Sequence, residues 1–164
     1  MVILLLMHAC MYYYDVCTHA CMYACMCVYL GVLVGQQANA IREWTQITVA
    51  EYKGGMSFPT HFDVLVTTPK AFEIQQNRTP DKLLFPMFDM IVFDECHHVL
   101  KDHPYRKLAV KLRITCENLP PQLRPRVVGL TASVTYAVDE KKVEHSMKRL
   151  CTDMRVEEIA TAKE

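Results

Sequence analysis

Residues 91–97 read Ile91-Val92-Phe93-Asp94-Glu95-Cys96-His97. Three apolar residues, two of them β-branched, followed at once by two carboxylates describe a strand buried along its length that ends at a polar edge. In α/β folds the carboxyl ends of parallel strands are where ligands bind. Successive residues of an extended chain point in different directions, so the two acids can divide a task. One can hold a hydrated magnesium ion through water while the other orients or deprotonates an attacking water. The same pair also suits a plain solvated strand end, and Asp-Glu alone does not separate the two.

Outward from this strand, short apolar runs alternate with amphipathic stretches, the pattern of an α/β domain with a parallel sheet. Strands are expected over residues 32–34, 48–52, 64–67, 90–94 and 127–130. Most are too continuously apolar for a one-sided sheet. Helices are expected over residues 36–44, 70–77, 104–117 and 139–154. Pro104 stands where a helix tolerates a missing N–H, and Asp139 is placed to cap the last helix, whose Val143, Met147, Leu150 and Met154 share a face. The proline-rich stretches at residues 80–86 and 120–125 are expected loops.

Asp94-Glu95-Cys96-His97 is the DECH form of a helicase motif II, and Leu130-Thr131-Ala132-Ser133 downstream resembles motif III. Upstream, Val66-Thr67-Thr68-Pro69 resembles the T-P element and Leu33-Val34-Gly35-Gln36-Gln37 the end of motif Ia. The four occur in family order. From residue 32 to about 162 the chain resembles the N-terminal RecA-like, ATP-binding domain of superfamily 2 DECH-box helicases, most of all the Dicer and RIG-I-like RNA helicases, whose box is often followed by a His-Pro-Tyr sequence like His103-Pro104-Tyr105.

The resemblance implies a parallel-sheet RecA-like P-loop NTPase fold that uses ATP and Mg2+. Asp94 would help hold Mg2+, Glu95 would activate the hydrolytic water, and His97 would couple the nucleotide site to Thr131 and Ser133. Gln36, Gln37 and Thr68 would contact the backbone of a bound RNA, expected to be double-stranded; such contacts position a strand without reading its sequence. A second RecA-like domain and a cytoplasmic location are implied, with no membrane. No G-x-x-x-x-G-K-[ST] phosphate loop occurs in the chain. Residues 31–164 therefore read as a partial helicase ATP-binding domain, its first strand and phosphate loop missing and its ATPase chemistry incomplete. A non-hydrolysing RNA-binding or regulatory module, and a membrane-anchored or cysteine-rich interaction protein, are the alternatives.

The averages hide two unlike segments. Eighteen basic and eighteen acidic residues give a formal net charge of zero, yet the first 41 residues carry only Asp15. The same segment holds Cys10, Cys17, Cys21, Cys25 and Cys27, leaving Cys96, Cys116 and Cys151 for the rest. A balanced total therefore argues little against a local nucleic-acid groove, and the cysteine count does not describe a disulfide framework.

Residues 1–30 form an apolar Cys/Met/Tyr leader. A signal peptide would want a basic start, and a membrane span over residues 16–34 would want flanking positive charge; no Lys or Arg precedes Arg42. Cys17, Cys21 and Cys25 would align on a helix, but without the tight C-x2-C spacing common in zinc sites. From residue 16 to 29 the chain alternates strictly between Met, Val, Ala, Thr and His, Cys, Tyr. Codons of alternating purine–pyrimidine DNA produce this pattern, so the leader reads as a translated simple repeat foreign to the fold, whose strand-like period carries no structural meaning. Near the box, a Cys96, His97, His98 metal cluster is disfavoured because adjacent ligands rarely converge. Lys101, Arg106, Lys107, Lys111 and Arg113 read as a solvated helix face.

Overall fold

The computed structural model describes residues 25–28, 31, 33–78, 85–100, 103–132 and 139–160. Five parallel strands form one sheet: β1 (Cys25–Val28), β2 (Val49–Tyr52), β3 (Val64–Thr67), β4 (Met90–Asp94) and β5 (Arg126–Leu130), in the order β2-β3-β1-β4-β5. The helices are α1 (Leu33–Trp44), α2 (Pro69–Arg78), α3 (Pro104–Glu117) and α4 (Glu140–Met154). An α/β parallel-sheet architecture of this kind is compatible with a RecA-like helicase domain.

Side chains alternate along the central strands, and both faces of the sheet are covered. Leu65, Ile91 and Phe93 point into a core with Phe72, Phe85, Phe88, Tyr105, Leu108 and Leu150, beneath α2, α3 and α4. Val64, Val66, Met90 and Val92 point the other way, onto Val34, Ala38 and Ile41 of α1. Burying each large apolar side chain contributes about 1.5–3 kcal/mol, so the two layers hold the sheet between them.

The helices begin where local chemistry allows. Thr68 accepts a hydrogen bond from the Ala71 N–H (3.2 Å) ahead of α2, and the His103 ring nitrogen Nδ1 accepts one from the Tyr105 N–H (3.3 Å) ahead of α3. Asp139 caps α4, accepting from the Lys141 (2.9 Å) and Lys142 (3.4 Å) N–H groups. Each occupies the position where a side chain replaces a missing helical acceptor.

The structure corrects the sequence reading at the start of the domain. The strand expected over residues 32–34 is corrected at residues 33 and 34, residue 32 lying outside the described residues: α1 already starts at Leu33, because Val34, Ala38 and Ile41 form a buried i, i+4, i+7 stripe that continues the helix backward past Gln36. The strand lies earlier, at Cys25–Val28, inside the alternating stretch whose period was expected to carry no structural meaning. It pairs on one side with β3 and on the other with β4, in the middle of the sheet. Cys25 is thus extended and shares no helix face with Cys17 and Cys21, which lie outside the described residues. Among the described residues no helix is long and apolar enough to cross a membrane.

Candidate active site

The loops that follow β1, β3, β4 and β5 all leave the sheet at its carboxyl edge, so residues far apart in sequence meet there. β4 is buried over its whole length and delivers Asp94 to that edge, opposite Leu130 of β5. The next residue, Glu95, has φ 50°, the left-handed region that non-glycine residues rarely adopt. This backbone reversal starts the 3-10 turn Cys96–Leu100, closed by the His98 N–H donating to the Glu95 carbonyl (3.0 Å), and it swings the Glu95 and Asp94 carboxylates into different surroundings.

Asp94 is buried, and burial, followed by the charge of Glu95, holds its carboxyl above the ordinary range. The Glu95 side chain is 37% exposed, open to water and to an arriving ligand. Its Oε2 lies 3.2 Å from Nδ1 of buried His97, and the same Nδ1 lies 2.8 Å from Oγ1 of Thr131. One ring nitrogen cannot donate and accept at once. Protonated, Nδ1 donates to the Glu95 carboxylate; unprotonated, it accepts from the Thr131 hydroxyl, so His97 stands at a junction between the acid and the strand-end threonine. The pair Asp94 and Glu95 supplies hard oxygen donors of the type Mg2+ takes when it is held by one or two carboxylates and substrate phosphates. Burial of Asp94 and the charge of Glu95 both oppose ionisation of the Asp94 carboxyl, a cost that a bound cation would offset.

Cys96 is buried beneath β5, its thiol pushed up to about 11 by burial and by the charge of Glu95, so it is not a nucleophile at neutral pH. Among the described residues no group of three or more His, Cys, Asp or Glu side chains could hold a metal ion. His98 and His103 instead stack in a ring ladder: His97 to His98 4.5 Å, His98 to His103 5.3 Å and His103 to Tyr105 5.3 Å between centroids. The ladder walls the turn that carries His97.

The residues expected to touch nucleic acid divide by accessibility. Gln36 is exposed on the first part of α1, while Gln37 is buried on the helix face shared with Val34, Ala38 and Ile41. Thr68 is half-buried and already occupied as the cap of α2, 3.8 Å from the position a Cβ on Gly31 would take. Lys53, which no local pattern singles out, follows β2 directly and reaches the same edge. A Cβ on Gly35 would lie 3.3 Å from Glu51 Oε2 and 3.5 Å from Lys53 Nζ, and the two side chains pair with each other at 3.5 Å, so an ion pair sits beside the start of α1. Ser133 and Lys101 lie outside the described residues. On α3, Arg106 pairs with Asp153 (3.4 Å), Arg113 with Glu117 (3.3 Å) and Lys111 with the Asn77 side chain (3.3 Å), ties within α3 and to the neighbouring helices that suit a solvated face.

Residues 31–135 match the helicase-family domain described as "Type III restriction enzyme, res subunit". Among curated proteins, the chain is 32% identical over 130 residues to Endoribonuclease Dicer of Gallus gallus, covering 71% of this chain and 6% of that protein. It is 32% identical over 130 residues to Endoribonuclease Dicer homolog 2 of Arabidopsis thaliana, covering 71% and 9%. To the Antiviral innate immune response receptor RIG-I of Sus scrofa it is 31% identical over 110 residues, covering 62% and 11%. The chain thus spans only a small part of the length of these relatives.

Proposed function

Because the chain belongs to the superfamily 2 helicases, as an N-terminal domain of the Dicer and RIG-I kind, we propose that it carries the hydrolytic acids and part of the RNA-contacting edge of an ATP-dependent RNA helicase or translocase. The observation that carries this reading is the 2.8 Å contact between His97 of the Asp-Glu-Cys-His box and Thr131 at the end of β5, with Glu95 on the same ring nitrogen. It links the acid that would activate water to a strand that can report the state of the site.

On this reading Asp94 would hold the Mg2+ of Mg-ATP, whose role when bound is to neutralise phosphate charge. Glu95 orients the attacking water and takes up its proton, for which its exposed carboxylate is suited. His97 exchanges its Nδ1 contact between Glu95 and Thr131 as the site fills and empties, and Ser133 is assigned to the same coupling. Gln36 and Thr68 face the RNA backbone, with the part-exposed Lys53 exchanging its Glu51 partner for a phosphate. Gln37, being buried, positions α1 and does not itself touch RNA. Double-stranded RNA is the expected polymer, a second RecA-like domain the partner that closes the cleft, and the cytoplasm the expected location. Since the sequence contains no phosphate loop, the chain alone is not competent for turnover.

Two measurements on the chain test this. Fluorescence anisotropy should show double-stranded RNA binding that falls steeply with salt and weakens in Gln36→Ala and Lys53→Ala. Phosphate release from Mg-ATP, with and without that RNA, should stay at background. RNA-stimulated release would sink the claim of incompleteness while supporting the helicase assignment, and it should then drop about 10²–10⁴-fold in Glu95→Gln. Absence of RNA binding at low salt would overturn the RNA reading.

A further inference from the structure

We infer that Gly129 is a positioning residue for the hydrolytic box: its bare backbone on β5 is the socket in which the Cys96 side chain seats, and that seating sets the distance between His97 and Thr131. Gly129 lies in the middle of β5, opposite Phe93 of β4. Its backbone is not in the left-handed region, Gly55 being the one described glycine that is, so conformation does not demand glycine there. Glycine in a strand interior weakens the strand and commonly marks a close approach of something else.

Here the approach is visible. A Cβ on Gly129 would lie 3.0 Å from Cys96 Sγ, 3.2 Å from Cys96 Cβ and 3.3 Å from Met154 Cε, tighter than most side-chain contacts, so the neighbours would have to give by a few tenths of an ångström. Cys96 and Met154 are both buried, Met154 reaching the socket from α4. Two residues along β5 on the same face, Thr131 meets His97, the neighbour of Cys96. The strand and the 3-10 turn therefore touch at two successive rungs, Gly129 with Cys96 and Thr131 with His97. The first rung has no chemistry of its own and fixes the height of the second. A methyl at 129 would lift the turn, open the contact between His97 and Thr131, and shift Glu95 with it.

The role in hydrolysis rests on the proposed function, but the socket can be read without turnover. Long-range proton–nitrogen spectra of the full chain report the His97 ring nitrogens, with His97→Asn assigning the signals and Thr131→Val defining the position of Nδ1 when its contact is lost. Gly129→Ala should move Nδ1 toward the Thr131→Val position, and adding Cys96→Ala, which removes the 3.0 Å sulfur contact and leaves the 3.2 Å Cβ contact, should bring it part of the way back. An unmoved His97 in folded Gly129→Ala, or a double variant shifted as far as the single one, overturns the inference. Should Gly129→Ala not fold, the double variant should fold and an unfolded one overturns it; Cys96→Val, which enlarges the knob against an intact socket, must then shift Nδ1, and an unmoved signal overturns it as well. Double-stranded RNA binding by the wild-type chain separates the two ideas: its absence at low salt rejects the proposed function, while the His97 signals still decide the socket.

Discussion

Glu95 holds a left-handed backbone that glycine would adopt freely, and such strain persists where the surroundings dictate the conformation. Glu95→Gly and Glu95→Ala both remove the carboxylate, but only glycine relieves φ 50°. Urea unfolding should find Glu95→Gly more stable than Glu95→Ala by about 1 kcal/mol, the reverse of the order at an ordinary helix or strand position. Asp94 stores a different penalty. Its carboxyl titrates above the ordinary range because burial, then Glu95, opposes its charge, so ionising it disfavours the folded chain. Asp94→Asn should stabilise the chain at neutral pH by on the order of 1 kcal/mol. In acid, below the unfolded value, both side chains are neutral and the gain disappears; it grows as pH rises through the raised folded value of the wild type. A gain that persists unchanged in acid would refute burial of the charge as the cause. Asp94 and Glu95 stand out locally as a buried strand ending in two acids, whereas His97 and Thr131 are singled out through the resemblance of their boxes to motifs II and III; the fold brings Glu95, His97 and Thr131 within contact. Gly129 and Lys53 were not, because their significance lies in contacts with Cys96 and with the start of α1, which no local pattern encodes.

The elements show the same division between local and distant causes. Pro104 and Asp139 announced the starts of α3 and α4, since capping and proline placement act within one turn. The start of α1 was misread because a short apolar run serves a strand and a buried helix stripe equally well, and only packing on β2 and β3 decides. What ties α1 to the edge of the sheet is Arg42. Its guanidinium donates to Asn39 Oδ1 (2.8 Å), to Glu51 Oε1 (3.0 Å) and to the Val49 carbonyl (2.9 Å), bridging the end of α1 to β2. The hydrogen bond from Arg42 holds the Glu51 carboxyl below its ordinary value, against a smaller opposing effect of burial. Arg42→Ala should destabilise the chain by about 1 kcal/mol, the pair being partly exposed. A group with a lowered folded value stabilises above its unfolded value and loses that contribution as pH falls through the folded one. The difference between Arg42→Ala and wild type in urea midpoints should therefore narrow in acid, and a constant gap would point to the Val49 carbonyl bond alone.

At the scale of the whole molecule, the decisive element is the strand that sequence patterning placed outside the fold. The alternation over residues 16–29 has an explanation in repetitive DNA that makes no reference to structure, and nothing local marks Cys25–Val28 as different from the residues before it. Only the demands of the sheet do so. β3 and β4 are both buried parallel strands, and β1 pairs with each of them, Met26 opposite Leu65 on one side and Ile91 on the other. Without β1 the two halves of the sheet, β2-β3 and β4-β5, would face each other with unpaired backbone edges in the interior, which is far more damaging than an exposed edge at the rim. A sequence of simple alternating pattern can fill this position because a strand between two parallel neighbours asks for extended, unbroken backbone more than for particular side chains. Two truncations separate a dispensable leader from a structural one. Removal of residues 1–24 leaves the five described strands in place and should preserve a cooperative thermal transition. Removal of residues 1–30 takes out the middle strand and should abolish that transition, and with it the contact between His97 and Thr131. If both truncated chains unfold with the same cooperativity as the full chain, β1 is not what joins the two halves of the sheet.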